Sequence, residues 1–201
     1  MRIVSIAFGM AALLLLAAMP AGAIQESDAI IPNPELCTLE PSTRERLDAI
    51  VAMPFVPATP IANAGAGTPV AMPEGGAPVP RDVQASIEES MIINIACINT
   101  GDPLRQMSIY TDLGLLRLLG EGVETITDEQ FAMLTTPDEL AEEDYTVIYE
   151  FGEAVDLGDG RVAIVIVGDD QSQPDPASPT LFVLVDQDGH WAVDSFESTQ
   201  D

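Results

Sequence analysis

The sequence predicts an α+β domain in which helices come first along the chain and an antiparallel sheet follows. Over residues 81–134, apolar side chains recur at the three-to-four-residue spacing of helices. Over residues 145–196, apolar and polar residues alternate, and Asp-Gly pairs interrupt the pattern where turns are needed. We expect about three helices on one face of a curved sheet of four or more strands, because this arrangement buries both apolar sets.

Three helices are predicted within the main domain. The first runs from residue 81 to about residue 98, with Asp82 as its N-cap. The second begins at Pro103 after the capping residue Asp102, and its apolar pattern continues to the glycines near residue 120. A third, short helix follows the capping box that starts at Thr127.

The second half of the chain predicts four strands joined by turns. The period-two segments are residues 145–151, 161–167, 181–185 and 191–196. Glycine-containing turns separate the first pair and the last pair, and a polar loop over residues 168–179 separates the middle pair. Residues 123–126 could add a brief strand between the last two helices.

The N-terminal residues 1–23 have the three parts of a secretory signal peptide. Arg2 is basic, residues 3–16 are almost wholly apolar, and Ala21-Gly22-Ala23 provides the small side chains that signal peptidase requires. We predict cleavage after Ala23, and hence a secreted, extracytoplasmic or cell-surface protein. An uncleaved anchor is the alternative, but Pro20 breaks the apolar run. No later segment has 18 uninterrupted apolar residues, so no other membrane span is predicted.

Three further regions follow the signal peptide. Residues 24–53 form an N-terminal segment with a short helix at 44–53, which Ser42 or Thr43 can cap. Residues 54–80 hold seven prolines among alanine, glycine and threonine, a composition typical of a linker. The main domain occupies residues 81–198.

The two cysteines, Cys37 and Cys97, predict a disulfide. An oxidising compartment favours the bridge, which would close a loop of about 60 residues and tie the N-terminal segment to the main domain. A catalytic cysteine is the alternative. It would need a partner base, and His190 is the only histidine in the chain.

The charge is strongly negative and excludes one class of partner. With 33 acidic residues against seven arginines and no lysine, the formal net charge is −26. Such a chain repels phosphate backbones, so nucleic acid is excluded as a partner. The acidity serves either solubility, including salt adaptation, or the attraction of cationic ligands and divalent ions.

Four short stretches carry a resemblance to a known family. They are Cys37-Thr38-Leu39-Glu40-Pro41, residues 96–105 (Ala-Cys-Ile-Asn-Thr-Gly-Asp-Pro-Leu-Arg), Leu157-Gly158-Asp159-Gly160-Arg161-Val162 and Trp191-Ala192-Val193-Asp194. Together with the element order, they resemble exported bacterial NTF2-like proteins of the SnoaL-like kind, from a Chloroflexi-type group. The resemblance implies a cone with a concave pocket between sheet and long helix. It implies no activity, since this fold hosts isomerases, dehydratases, cyclases and binding modules.

Few residues are candidates for catalysis or ligand binding. Isomerases of the resembled fold use a pocket carboxylate with a tyrosine, for which Tyr110, Asp112 and Tyr149 are the candidates here. Alternatively, both tyrosines are core aromatics and Asp112 begins a turn. Trp191 either closes the core or lines the pocket as a ligand-binding residue, and His190 is expected to be exposed after its turn.

No cofactor or metal is predicted. The aspartates at 156–160 and 186–189 superficially resemble calcium loops but lack the EF-hand spacing, and those at 169, 170 and 175 lie in the longest loop. We therefore expect a non-enzymatic module that binds a small molecule or a protein, or pairs with itself through its sheet. The alternative is a small isomerase or dehydratase that uses a tyrosine and a carboxylate.

Overall fold

The computed structural model describes residues 29–57, 73, 76–170 and 178–198. The predicted signal peptide, most of the linker and the acidic residue Asp175 lie outside the described residues. The described part is α+β, as predicted, with helices first and an antiparallel sheet afterwards.

The described part has five α-helices and six strands. The helices are α1 (Arg44–Val51), α2 (Arg81–Asn99), α3 (Pro103–Ser108), α4 (Asp112–Leu119) and α5 (Asp128–Leu134), with short 3-10 helices at Pro34–Leu36 and Glu142–Asp144. The strands are β1 (Ala77–Pro78), β2 (Thr146–Phe151), β3 (Val155–Asp156), β4 (Arg161–Asp170), β5 (Ser178–Gln187) and β6 (His190–Ser198).

Helix capping agrees with the sequence at most positions. Thr43 caps α1, Asp102 caps α3, and Thr127 with Gln130 forms the expected capping box of α5. The prediction for α2 is wrong at its start, because Pro80 rather than Asp82 occupies the cap position and no side chain caps the helix. Residues 123–126 form no strand.

The predicted second helix is two helices, α3 and α4, with a break over residues 109–111. There the main chain bonds to β6: the Thr111 N–H donates to the Val193 carbonyl at 2.9 Å, and the Val193 N–H donates to the Ile109 carbonyl at 2.8 Å. The Thr111 hydroxyl then accepts from the N–H of Gly114 and caps α4. The strand contact therefore replaces the helical hydrogen bonds that would have joined the two segments.

The sheet is antiparallel and its order is β1–β3–β4–β5–β6. Strand β2 pairs with the second half of β4, and β3 pairs with the first half, so both lie along the same side of β4. Helix α2 packs on one face of the sheet. The buried residues of this core are Ile87, Met91, Ile95, Ile148, Ala154, Val162, Ile164, Ile166, Leu184 and Val193.

A second core forms among the helices beyond β6. Its buried residues come from α1, α3, α4 and the segment before α5: Leu47, Ile50, Val51, Leu104, Leu115, Leu116 and Ile126. Tyr110 packs against both cores. The break at residues 109–111 therefore lies where the helical part of the domain joins the sheet.

The N-terminal segment is fastened to the main domain at several points. The predicted disulfide Cys37–Cys97 is present, and the Arg105 guanidinium donates to the Leu39 carbonyl at 2.8 Å. The buried Asn99 donates through Nδ2 to the carbonyls of Pro32 and Thr146, at 3.0 and 3.1 Å. The stretch over residues 96–105 that carries the family resemblance thus holds the N-terminal segment in place.

Candidate functional site

The space between α2 and the sheet, where the resemblance implies a pocket, is occupied largely by aliphatic side chains of the first core. The polar groups within this space form hydrogen bonds with one another. Asn94 is fully buried and donates through Nδ2 to the Trp191 carbonyl at 3.1 Å. Its Oδ1 lies 2.9 Å from Nε2 of His190. Since the Asn94 oxygen can only accept, Nε2 of His190 is the donor.

His190 is half-buried rather than exposed. Burial lowers the pKa of the imidazole, and the neighbouring Asp186 carboxylate opposes this effect in part. Trp191 packs against the first core, with its indole N–H 3.3 Å from the Ser86 hydroxyl and its main-chain N–H 3.1 Å from the Ser90 hydroxyl. Both residues therefore join β6 to α2.

The candidate residues Tyr110, Asp112 and Tyr149 lie in three different places. Tyr110 is beside β6 and lines a depression with α4. Asp112 lines a separate groove, where its carboxylate accepts from Nε of Arg46 at 3.0 Å. Tyr149 is on β2, which β4 and β5 separate from β6, a distance along the sheet of about 14 Å at ordinary strand spacing. These three side chains do not form one constellation.

The groove that Asp112 lines has a volume of about 430 Å³ and is polar. Arg46 crosses it and donates to the Ser42 hydroxyl and the Tyr110 carbonyl, both at 2.8 Å, as well as to Asp112. The hydroxyls of Ser42 and Ser108 lie 3.1 Å apart. Because its polar groups bond to one another and no histidine adjoins the serines, this groove fixes α1 against α3 and α4 and offers no activated nucleophile.

A second depression, which we call the α4–β6 groove, lies between the two elements that name it. It has a volume of about 280 Å³, and its lining residues are Tyr110, Gly114, Arg117, Leu118, Asp194, Ser195 and Phe196. The rings of Tyr110 and Phe196 lie 6.5 Å apart, centroid to centroid. Leu118 is 49% exposed and Phe196 is 43% exposed, so two large apolar side chains stand at the rim of the groove.

Charged groups at the base of this groove are paired. Asp194 is buried and accepts from the Thr111 hydroxyl at 3.0 Å and from Nη1 of Arg117 at 2.8 Å. Arg117 also donates to the Val56 carbonyl at 3.2 Å. Gly114 allows α4 to approach this closely, because a Cβ there would lie 2.5 Å from the Val193 carbonyl oxygen. The ion pair thus holds α4 against β6 and leaves apolar side chains at the opening.

Tyr110 contributes a neutral phenol to the groove. Burial of its ring raises the pKa of the hydroxyl, so the group remains protonated at neutral pH. The nearest carboxylate in the groove is that of Asp194, which Thr111 and Arg117 already hold. The groove therefore presents a hydrogen-bond donor and an apolar surface, without a free carboxylate among its described lining residues.

Sequence reasoning found only Tyr110 of this groove. Leu118 was part of an apolar stretch in the predicted second helix, and nothing distinguished it from the buried Leu115 and Leu116. Phe196 stood at the end of a predicted strand. The signal available in the sequence was that α4 is apolar over more than one face, which indicates an apolar side chain beyond those needed for the core.

The aspartates in the turns serve local structure. Asp156 accepts from the N–H of Gly158, and Asp186 accepts from that of Gly189. The Arg161 guanidinium donates to Asp159 and lowers the pKa of that carboxyl. Among the described residues, no group of three or more histidine, cysteine, aspartate or glutamate side chains could hold a metal ion.

Comparisons with family models, curated proteins and solved structures find no match for this chain. Within the described residues, no helix combines the length and the apolar character needed to cross a membrane.

Proposed function

We propose that this chain is an extracytoplasmic binding module of the NTF2-like kind, and that the α4–β6 groove receives an apolar group of its ligand. The observation that carries the proposal is the pair Leu118 and Phe196, both large, apolar and substantially exposed, beside the ring of Tyr110. Concave apolar surfaces with a few fixed polar groups are typical of binding sites.

Three features support the wider assignment. The disulfide and the predicted signal peptide both agree with a location outside the cytoplasm. The order of helices followed by an antiparallel sheet, with the long α2 packed on one face, agrees with the NTF2-like arrangement. Asn94 and His190 are bonded to each other between α2 and β6, which favours a structural role for that space and leaves the α4–β6 groove as the ligand site.

A binding role is favoured over catalysis because the described lining residues of the groove include no free base. The isomerase alternative needs a carboxylate able to take a proton beside the substrate. Asp194 is the carboxylate beside Tyr110, and Arg117 and Thr111 occupy its two oxygens. Asp112, the residue proposed from the sequence, bonds to Arg46 in the other groove.

The proposal is tested with Nile red, a neutral apolar dye, and the variant Leu118→Glu. Removing a half-exposed leucine from the binding surface and adding a charge should weaken dye binding by about tenfold. Met133→Glu is the matched control, since Met133 is an exposed apolar residue at 63% on α5, outside the groove. Equal dye affinity for wild type and Leu118→Glu would refute a binding role for the groove.

A further inference from the structure

Resting on the proposed function, we propose that the ligand of the α4–β6 groove is an extended peptide segment of a partner protein. It adds as a strand to the outer edge of β6 and places an apolar side chain in the groove. Strand addition combines main-chain hydrogen bonds, which give affinity, with side-chain pockets, which give specificity. The free ladder positions of β6, the adjoining groove and the charge of the chain each support this mode of binding.

The outer edge of β6 is occupied at its first half. The Trp191 N–H points outward to the Ser90 hydroxyl, and the Val193 N–H points outward to the Ile109 carbonyl. Val193 pairs with Leu184 of β5. Because the main-chain groups of Val193 point outward, those of Leu184 point away from β6 and toward β4. Residues 109–111 thus fill the place of a neighbouring strand at this end.

Along the second half of the same edge, the described residues provide no such neighbour. Asp194 is the extra residue of a β-bulge, and beyond it Phe196 pairs with Phe182 and Ser198 with Thr180. Along β5 the main-chain N–H and C=O groups point alternately toward β6 and toward β4, so those of Phe182 and Thr180 point toward β4, as those of Leu184 do. Their partners Phe196 and Ser198 therefore direct their own N–H and C=O groups outward from β6. No residue of the described chain pairs with these outward groups.

The opposite edge of the sheet contrasts with this one. There Ile30 exchanges two main-chain hydrogen bonds with Ile148 of β2, at 2.8 and 2.9 Å, and β1 pairs with β3. Natural sheets commonly cover or blunt their edges, and this chain covers that one with its own N-terminal segments. Beyond the bulge, residues 195–198 of β6 include no proline, so each of them keeps the main-chain N–H that an added strand needs.

The groove lies where an added strand would place a side chain. Directly opposed residues of neighbouring strands point to the same face of a sheet. A residue opposite Phe196 therefore projects beside the Phe196 ring, toward Tyr110 and Leu118, which line the groove. An aliphatic side chain at this position would cover the exposed parts of Phe196 and Leu118.

Charge selects among such peptides. The chain has a formal net charge of −26, and Arg117, which lines the groove, is paired with Asp194. Basic residues flanking the apolar side chain would therefore be attracted, and acidic ones repelled. The structure points to an extended partner segment with apolar side chains on one face and basic flanks.

The test uses the full chain and the labelled peptide acetyl-Arg-Thr-Leu-Thr-Leu-Thr-Arg-amide. We expect saturable binding by fluorescence anisotropy, slower hydrogen exchange at the amides of Phe196 and Ser198, and affinity at least about tenfold weaker for Leu118→Ser but unchanged for Met133→Ser. The same peptide with both leucines N-methylated, and a version with glutamate in place of arginine, should each bind at least about tenfold more weakly.

Three results would overturn strand addition: no binding of the peptide, equal binding of its N-methylated form, or unchanged exchange at Phe196 and Ser198. If Nile red still binds in a Leu118-dependent way, the apolar-group function survives while the peptide proposal fails. A dimer found by sedimentation and abolished by Leu118→Glu would assign the edge to a second copy, and would also overturn the proposal.

Discussion

His190 and Asn94 form a polar contact within the core that joins the β5–β6 hairpin to α2. Nε2 of His190 donates to Asn94, and Asn94 donates to the Trp191 carbonyl, so both side chains of the contact have partners. Burial lowers the pKa of His190. A proton on this imidazole is therefore more costly in the folded state than in the unfolded state.

This contact predicts a pH dependence of stability. The unfolded imidazole, with a pKa near 6.5, takes up a proton that the folded protein resists, so stability should fall as the pH drops through that value. His190→Gln keeps a donor to Asn94 but cannot titrate. Urea unfolding between about pH 8 and about pH 5.5 should show a steeper loss for wild type than for His190→Gln. Parallel profiles would contradict the assignment.

Predictions at the residue scale succeeded where chemistry alone determines the partner. Two cysteines allow one internal pairing, and the Cys37–Cys97 bridge is present. Tyr110 and Asp112 are close in the sequence but do not share a site. Thr111 between them is the N-cap of α4, and the two side chains line different depressions. The break between α3 and α4 depends on the contact of Tyr110 with Val193 of β6, which is more than eighty residues away in the sequence.

At the scale of elements, Gly101 fixes the turn between α2 and α3. It has a φ of +66°, and a Cβ there would lie 1.9 Å from the Asp138 carbonyl oxygen. The Asp138 N–H donates in turn to the Gly101 carbonyl at 2.9 Å. The loop before β2 therefore packs directly on this turn, and only glycine allows the approach.

Gly101→Ala should be severely destabilising, by at least about 2 kcal/mol, because backbone strain and a main-chain collision add together. Gly189→Ala is the control: Gly189 has a φ of +89° in the turn between β5 and β6, but a Cβ there would meet no atom within 4 Å, so only the backbone strain applies. Its cost should be about 1 kcal/mol. Thermal or urea unfolding of both variants measures the difference, and similar losses would argue against the close packing at Gly101.

Most elements were predictable because local signals agree with the fold. Helix caps and β-branched alternation located α1, α3, α5 and the long strands to within a few residues. The short β1 and β3 were not predicted, since two residues each give no periodicity, and they exist through pairing with each other and with β4. The α4–β6 groove was missed for the same reason: tertiary contacts create it.

At the scale of the whole molecule, arginine side chains join the N-terminal segment to the main domain. Arg44 reaches the Ile126 carbonyl at 2.7 Å, Arg46 reaches Asp112, and Arg105 reaches the Leu39 carbonyl, so all three link the N-terminal segment to the main domain. The disulfide spans the same junction across 60 positions of sequence. The N-terminal segment is thus an integral part of the described fold.

The double variant Cys37→Ala/Cys97→Ala should therefore lose stability without losing the fold. The chain-entropy model assigns about 4 kcal/mol to a loop of this length. Amide exchange should accelerate over residues 29–53 more than in α2 or β4, because the first core does not depend on the bridge. Reducing the wild type should reproduce the effect. Unchanged exchange in the N-terminal segment would show that the arginine contacts alone hold it.

The most direct test of the binding assignment is an amide NMR titration of the full chain with Nile red, which locates the ligand on the molecule. We expect shift changes concentrated at Gly114, Leu118, Ser195 and Phe196, the residues of the α4–β6 groove. Changes concentrated instead at Ser90, Asn94 and His190 would place the ligand between α2 and the sheet, and would contradict the proposed site.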